Sequence, residues 1–322
     1  QWTESTINGY KGFKTHPLYD DFSVPTFDNQ HCLIKGGSWI STGNETTKFA
    51  RYAFRKHFYQ HCGFRYVQSE KEVINKTDAY ESDPVIIQYM DFHYGPNYFG
   101  TANFTKKLAE ICLELNGKRH RALDIGCTLG RASFELGKAY GEVLGIDFSA
   151  RLIQIASDLK KTGRARYQIP TEGDLQEYRQ IDLSDAVELN DNNHIHFYQG
   201  DACNLSKKYG KFDLILAANL IDRLDHPEKF LTNIGDFLNP DGYLVLASPY
   251  TWQEKSTEKK RWLGGFKGKD GENVQTLATI SKILGNDFSL VQKPRDVEFV
   301  IRETKRKYQH SLSEVTIWKI KK

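Results

Sequence analysis

ALDIGCTLGRASFEL, residues 122–136, passes from an unbroken apolar run through a glycine turn into a helical pattern. That order, strand then tight turn then helix, builds a ligand loop in which backbone N–H groups face a bound molecule. Asp124 stands at the strand end, and Gly126 and Gly130 let the backbone approach a ligand without Cβ clashes. The glycines are four apart and Thr128 stands between them, so the G-x-G-x-x-G dinucleotide fingerprint fails. A carboxylate at Asp124 would repel a pyrophosphate but can hold an ammonium group.

Working outward, the rhythm from Asn103 onward alternates helices with buried strands, the pattern of a doubly wound α/β sheet. FTKKLAEICLELNG spaces Leu108, Ile111 and Leu115 as one helix face and stops at Gly117. RASFELGKAY reads as helix, EVLGIDF as the second strand, and Ser149 as the N-cap of a helix carrying Leu152, Ile155 and Leu159. HIHFYQGDA is the third strand and its exit, FDLILAANLI the fourth, and GYLVLASPY the fifth. IPTEGDLQEYRQIDLSDAVELNDNN reads as a long acidic insertion, and DFSLVQKPRDVEFVIRE with SEVTIWKIKK as late strands pairing in a hairpin.

Asp147 ends the second strand, where a carboxylate can accept both hydroxyls of a ribose, and Phe148 follows it. After the third strand, Asp201 can accept from an adenine amino group and the Ala202 amide can donate to its ring. Three carboxylates closing three successive strands, the first suited to an ammonium, describe S-adenosylmethionine better than NAD. Cys127 has no adjacent base and reads as a small loop residue against the cofactor.

The 322 residues carry 44 Lys or Arg and 41 Asp or Glu, a net charge of +3 that is too even to announce nucleic acid or an anionic membrane. Small molecules are the expected ligands. Five scattered cysteines without a C-x-x-C pair fit neither a disulfide framework nor a zinc cluster. With no apolar run of membrane-spanning length, the expected location is the cytoplasm. His57 and His61, four apart without a third ligand, do not make a metal site, so no metal is expected. The composition shift near residue 68 divides the chain into an aromatic-rich segment 1–67, a polar linker 68–79 and a large domain 80–322.

ALDIGCTLG, GIDFS, YQGDA and FDLILAANLIDRL together resemble the motif series of class I S-adenosylmethionine-dependent methyltransferases, whose Rossmann-like doubly wound sheet ends in a late antiparallel strand. Thr128 replaces the usual second glycine of that series and can offer a hydroxyl. YESDPVIIQYMDFHYG, AANLIDRL and VIRETKRKYQHSLSEVTIW are similar to the carboxy-terminal methyltransferase domain of the ovothiol-biosynthesis family. FSVPTFDNQH, GGSWISTGNE and ARYAFRKHFYQHCGFR resemble the closing part of the formylglycine-generating-enzyme-like domain that precedes it there.

The resemblance implies N-methylation of the π nitrogen of 5-thiohistidine to give ovothiol, with an upstream iron-dependent sulfoxide synthase domain or protein as partner. Histidine or another imidazole is the alternative acceptor, and a non-catalytic module docking onto that synthase is the alternative of another class. On this reading Asn219 touches cofactor or substrate, Asp222 or Glu303 orients the imidazole, and His93 is a candidate base. Arg302, in preference to Arg223, takes the substrate carboxylate, with Tyr80, Phe92, Tyr308 and Gln309 lining the acceptor and Tyr94 beside the cofactor. An Asp222–Arg223 pair, or Arg302 beside Glu303, reads equally well as an ordinary surface ion pair.

Overall fold

A computed structural model describes residues 83–321 apart from 190, together with the strands β1 Trp2–Asn8, β2 Asp28–Lys35 and β3 Arg51–Phe54. Tyr80, His57 and His61 lie outside the described residues. The chain divides into two compact units, Gln1–Lys76 and Thr77–Lys322. In the first, β1, β2 and β3 form an antiparallel sheet in that order.

The second unit opens with α1 (Asp83–Tyr94) and α2 (Phe104–Leu113), the latter capped by Asn103, whose side chain accepts from the Lys106 amide. The core sheet then accumulates as β4 (Arg121–Ile125), β5 (Glu142–Asp147), β8 (Ile195–Gln199), β9 (Phe212–Ala218) and β10 (Leu238–Ser248). β11 (Phe266–Lys267) and β12 (Asn273–Val274) pair apart from it, and β13 (Phe288–Leu290), β14 (Arg295–Arg302) and β15 (Tyr308–Ile320) complete it. The order is β13-β15-β10-β9-β4-β5-β8, with β14 pairing β15. The strands from β8 to β10 run parallel, and β15 lies antiparallel to β10. This is the doubly wound sheet with a late antiparallel strand that the sequence predicts. Both faces are covered by helices, so β4 and β9 are nearly all buried, and β9 is apolar apart from Asp213.

The connection from β4 goes to β5 on one side while β9 lies on the other, so the crevice between the carboxyl ends of β4 and β9 is the topological switch point. The first crossover helix, α3 (Arg131–Leu136), is shorter than the RASFELGKAY pattern suggests, because Gly137 ends it. α4 (Ala150–Thr162) is capped by Ser149, whose hydroxyl accepts from Leu152 N–H, and is closed by left-handed Gly163. Beyond β9, α6 (Pro227–Asn233) and α7 (Thr276–Leu284) pack around one core. Among the described residues no helix is long and apolar enough to cross a membrane.

The segment read as an acidic insertion is instead ordered. β6 (Arg164–Glu172) and β7 (Leu175–Asp182) form an antiparallel hairpin that a short helix, α5 (Leu183–Ala186), follows. Its turn is a two-residue Gly173–Asp174 loop with Gly173 left-handed at φ 54°. Tyr167, Ile169 and Ile181 carry the hairpin onto Ile86 and Met90 of α1 and Leu152 and Leu159 of α4.

Phe197 of β8 fills a notch that two missing side chains create. A Cβ at Gly130 would meet its ring at 2.4 Å, and one at Gly145 would meet it at 2.7 Å. Gly130 is also left-handed at φ 76°. Gly130→Ala is therefore expected to destabilise the fold by about 2–3 kcal/mol, combining the left-handed backbone penalty with overpacking. Urea denaturation measures this, and an unchanged midpoint would mean that the ring moves aside freely.

Candidate active site

The glycine loop is stitched to the end of β5. Gly126 and Cys127 both donate their N–H groups to Ile146 O, at 2.8 and 3.1 Å, and Thr128 N–H donates to Asp147 Oδ2 at 2.9 Å. Gly126 (φ 73°) and Thr128 (φ 49°) both lie in the left-handed region. For a β-branched residue that conformation is strained, so Thr128 is held there by its neighbours. Asp147 Oδ1 accepts from Ser149 N–H at 2.9 Å, and Gly200 N–H donates to Asp147 O at 2.9 Å. One residue thus ties together the loop, the start of α4 and the turn that presents Asp201. Asp201 caps the short turn Ala202–Asn204 through Cys203 N–H at 2.8 Å. Phe148 stands 64% exposed beside Asp147, a flat apolar face next to the proposed ribose acceptor.

Asp124 is buried and accepts from Ser133 Oγ at 2.6 Å. Burial pushes its carboxyl pKa up to about 7, with Asp147 nearby adding to the rise. Cys127 is buried, and burial holds its thiol well above the ordinary range, consistent with a packing role. Gly130 N–H closes the turn on Cys127 O at 2.8 Å.

Two α1 residues brace this loop from above. Tyr94 donates its hydroxyl to Leu129 O at 2.8 Å, so it supports the loop's backbone. Thr128 Oγ1 donates to Cys127 O at 2.8 Å and lies 2.7 Å from His93 Nε2. With the hydroxyl proton committed, Nε2 carries the imidazole proton and donates to Oγ1. Burial, together with Arg131, lowers the His93 pKa to about 3, which keeps the ring neutral. Its other nitrogen, Nδ1, is buried with no hydrogen-bond partner among the described residues.

Asn219 follows β9 in the left-handed region at φ 50°, and the side chain of its neighbour Leu220 lies against Gly126. Ser313 Oγ of β15 donates to Asn219 Oδ1 at 2.6 Å, leaving Nδ2 as the amide's donor.

The geometry reassigns several candidates. Asp222 is fully buried and accepts from Ser248 Oγ (3.2 Å), Thr251 N–H (2.9 Å), Thr251 Oγ1 (3.1 Å) and Arg223 Nη1 (2.8 Å). Arg223 also donates to Thr251 O at 2.7 Å. The two residues clamp the loop after β10, so neither is turned to an acceptor ring or carboxylate. Glu303 lies in the β14–β15 turn, where Lys307 and Gln309 hold its carboxyl below the usual range, and it does not orient a ring. Gln309 is that partner of Glu303, and Tyr308 packs its ring on Tyr98 and Phe99 at 5.0 and 4.9 Å. Phe92 joins Phe104 and Phe299 in an aromatic core.

Arg302 is 3% exposed, and around it the structure gathers a group that only partly follows from the sequence. Asp91 Oδ1 accepts from Tyr167 OH at 2.9 Å and Arg179 Nη1 at 2.7 Å, and Asp91 Oδ2 accepts from Tyr98 OH at 2.8 Å. Glu177 accepts from Arg179 Nε at 2.8 Å and Arg302 Nη2 at 3.3 Å. Glu177 and Arg179 come from the segment read as an insertion, and Tyr167 from the strand β6 that leads into it. The alternation of Ala165, Tyr167 and Ile169 was the signal for its strand, but nothing local pairs Arg179 with Asp91. Near it, a cleft of about 520 Å³ between α1, α2 and the end of β7 is lined by Tyr94, Asn103, Lys106, Arg131 and Asp182. It lies beside the loop rather than at the strand ends. Among the described residues no group of three or more His, Cys, Asp or Glu is placed to hold a metal ion.

A family model described as a methyltransferase domain matches residues 99–287. The fold is similar to that of an S-adenosylmethionine-dependent methyltransferase from Methanosarcina mazei, with 19% identity, 65% of this chain and 96% of that one covered, and TM-score 0.43. It is also similar to the N-methyltransferase NodS from Bradyrhizobium japonicum WM9 in complex with S-adenosylhomocysteine (16%, 75% and 100% covered, TM-score 0.43). A third similar structure is magnesium protoporphyrin IX methyltransferase from Synechocystis PCC 6803 with bound S-adenosylmethionine (17%, 72% and 89% covered, TM-score 0.40). No curated protein sequence matches the chain.

Proposed function

The chain belongs to the methyltransferase-domain family, and from that premise we propose that it transfers a methyl group from S-adenosylmethionine to an imidazole nitrogen of 5-thiohistidine. The observation that carries the cofactor is the convergence of Asp124, Asp147 and Asp201 at the carboxyl ends of β4, β5 and β8 around a glycine turn. S-adenosylmethionine supplies a methyl group already activated on its sulfonium.

The protein's work is then positioning and exclusion of water. Asp124 holds the ammonium of the amino-acid end, Asp147 the ribose, and Asp201 with Ala202 the adenine. Asn219, fixed by Ser313, orients the reacting ring through its Nδ2 donor. The acceptor assignment is supported by the sequence resemblance and by the buried Arg302 guanidinium, suited to an amino-acid carboxylate. In this reading residues 80–322 carry the reaction, residues 1–67 are an accessory segment, and an iron-dependent sulfoxide synthase supplies the sulfur-bearing substrate. A mass-spectrometric assay with 5-thiohistidine and histidine side by side tests it. A single methyl on the thiolated substrate alone is the expected result; transfer to neither despite tight cofactor binding rejects the acceptor.

Asp124 adds a pH signature. Its folded pKa of about 7 means that the carboxyl is protonated at lower pH, whereas a cationic cofactor favours the carboxylate. Affinity for S-adenosylmethionine is expected to rise with pH up to about 7 and then level off, and Asp124→Asn should flatten the rise. Calorimetric titration across that range reads it. Stability is a poorer readout. A raised carboxyl pKa removes stability as pH climbs from about 4 to 7, while the depressed His93 pKa of about 3 adds it up to about 6.5.

A further inference from the structure

Glu177 places one carboxylate across two guanidinium groups that come from opposite parts of the chain. Oε1 meets Arg179 Nε of β7 at 2.8 Å and Oε2 meets Arg302 Nη2 of β14 at 3.3 Å. Between the two arginines, Tyr98 OH accepts from Arg179 Nη1 at 2.9 Å and Arg302 Nη1 at 3.4 Å. The two carboxylates of the group are not equivalent. The Asp91 side chain is 0% exposed with three donors on it, so it is fixed; the Glu177 side chain is 43% exposed, and its contact to Arg302 is long. The arginine side chains, by contrast, are only 19% and 3% exposed. Two like charges have been drawn out of water, Arg179 held by Asp91 and both sharing the half-exposed Glu177 carboxylate. Arg306 with Glu172 differs in kind, because both side chains there are more than 70% exposed and the pair is an ordinary surface one. With Glu177 turned away the group keeps one net positive charge, which an incoming carboxylate neutralises.

We propose that Arg179 and Arg302 form a clamp for the carboxylate of an amino-acid acceptor, and that the Glu177 side chain is the internal stand-in which that carboxylate displaces. This rests on the amino-acid acceptor proposed above and adds Arg179 to it as a specificity-determining residue.

The test uses the full chain, ¹⁵N-labelled, with the Arg179 and Arg302 Nε–H resonances assigned from R179K and R302K. L-histidine and histamine, which differ by the carboxylate, are titrated into the wild type and into E177Q. The expected result is a saturable shift of both resonances with L-histidine and none with histamine. Affinity should be tighter by about tenfold in E177Q, where a neutral amide no longer competes. No shift with L-histidine in either protein, an equal response to histamine, or unchanged affinity in E177Q overturns the proposal. A thermal melt checks that E177Q is folded, and E177A repeats the measurement should the amide find a new partner. No methyl transfer is needed for this readout. Failure of 5-thiohistidine in the mass-spectrometric assay with the clamp intact would reject the acceptor alone, and silent arginine resonances with active transfer would reject the clamp alone.

Discussion

Asp147→Ala is expected to weaken S-adenosylmethionine binding by about two orders of magnitude, the worth of two charge-assisted hydrogen bonds. On the proposed binding mode the ribose hydroxyls lose their acceptor, but that is only part of the effect. The same carboxylate accepts from Thr128 N–H and Ser149 N–H, both at 2.9 Å, and so sets the loop and the start of α4 relative to β5. Thr128 sits in a strained left-handed conformation, and without the carboxylate one of its anchors is gone. Asp147→Asn has one acceptor oxygen for two amides and should fall between alanine and wild type. Isothermal titration with S-adenosylmethionine measures all three. Alanine binding within about threefold of wild type, less than one hydrogen bond's worth, would remove Asp147 from the ribose site.

Asp222→Ala should act on the fold first, lowering unfolding stability by about 3–5 kcal/mol. Removing the carboxylate leaves the Arg223 guanidinium without its charge partner and the Ser248 and Thr251 donors without their acceptor. The loop after β10, which includes left-handed Tyr250, is then released from β9. Guanidinium denaturation, compared with Asp222→Asn, gives the size of the loss. A variant of wild-type stability with abolished methyl transfer would return Asp222 to the acceptor's ring.

What could be read from the sequence was local. Ser149 announces the cap of α4, the apolar runs announce β4, β5 and β9, and Gly126, Gly130 and the three carboxylates fall at the strand ends because strand, turn and helix are neighbours in sequence. The hairpin β6–β7 escaped because its strands are half exposed and rich in charge, so acidity masked a period-two pattern. Asp222 looked like a site residue because it follows a parallel strand, and its real partners, Ser248 and Thr251, lie more than 25 residues further on. Arg179 and Asp91 meet over a separation of 88 residues. Such pairings depend on how the elements pack, which spacing within one segment does not encode.

The place of β15 has a consequence for how the chain acquires this fold. It lies between β10 and β13, both made earlier in the chain, and it also pairs with β14. Until residues 308–320 have emerged during synthesis, β10 presents an unpaired edge with Leu244, Val245 and Leu246, all buried in the finished sheet. The nascent domain therefore passes through a stage with an open apolar border, the state in which strands pair with the wrong neighbour. The thirteen-residue β15 closes that edge and at the same time gives β13 and β14 their place in the sheet, since both pair with it. Shielding of that border until β15 has been made is the consequence of the strand order.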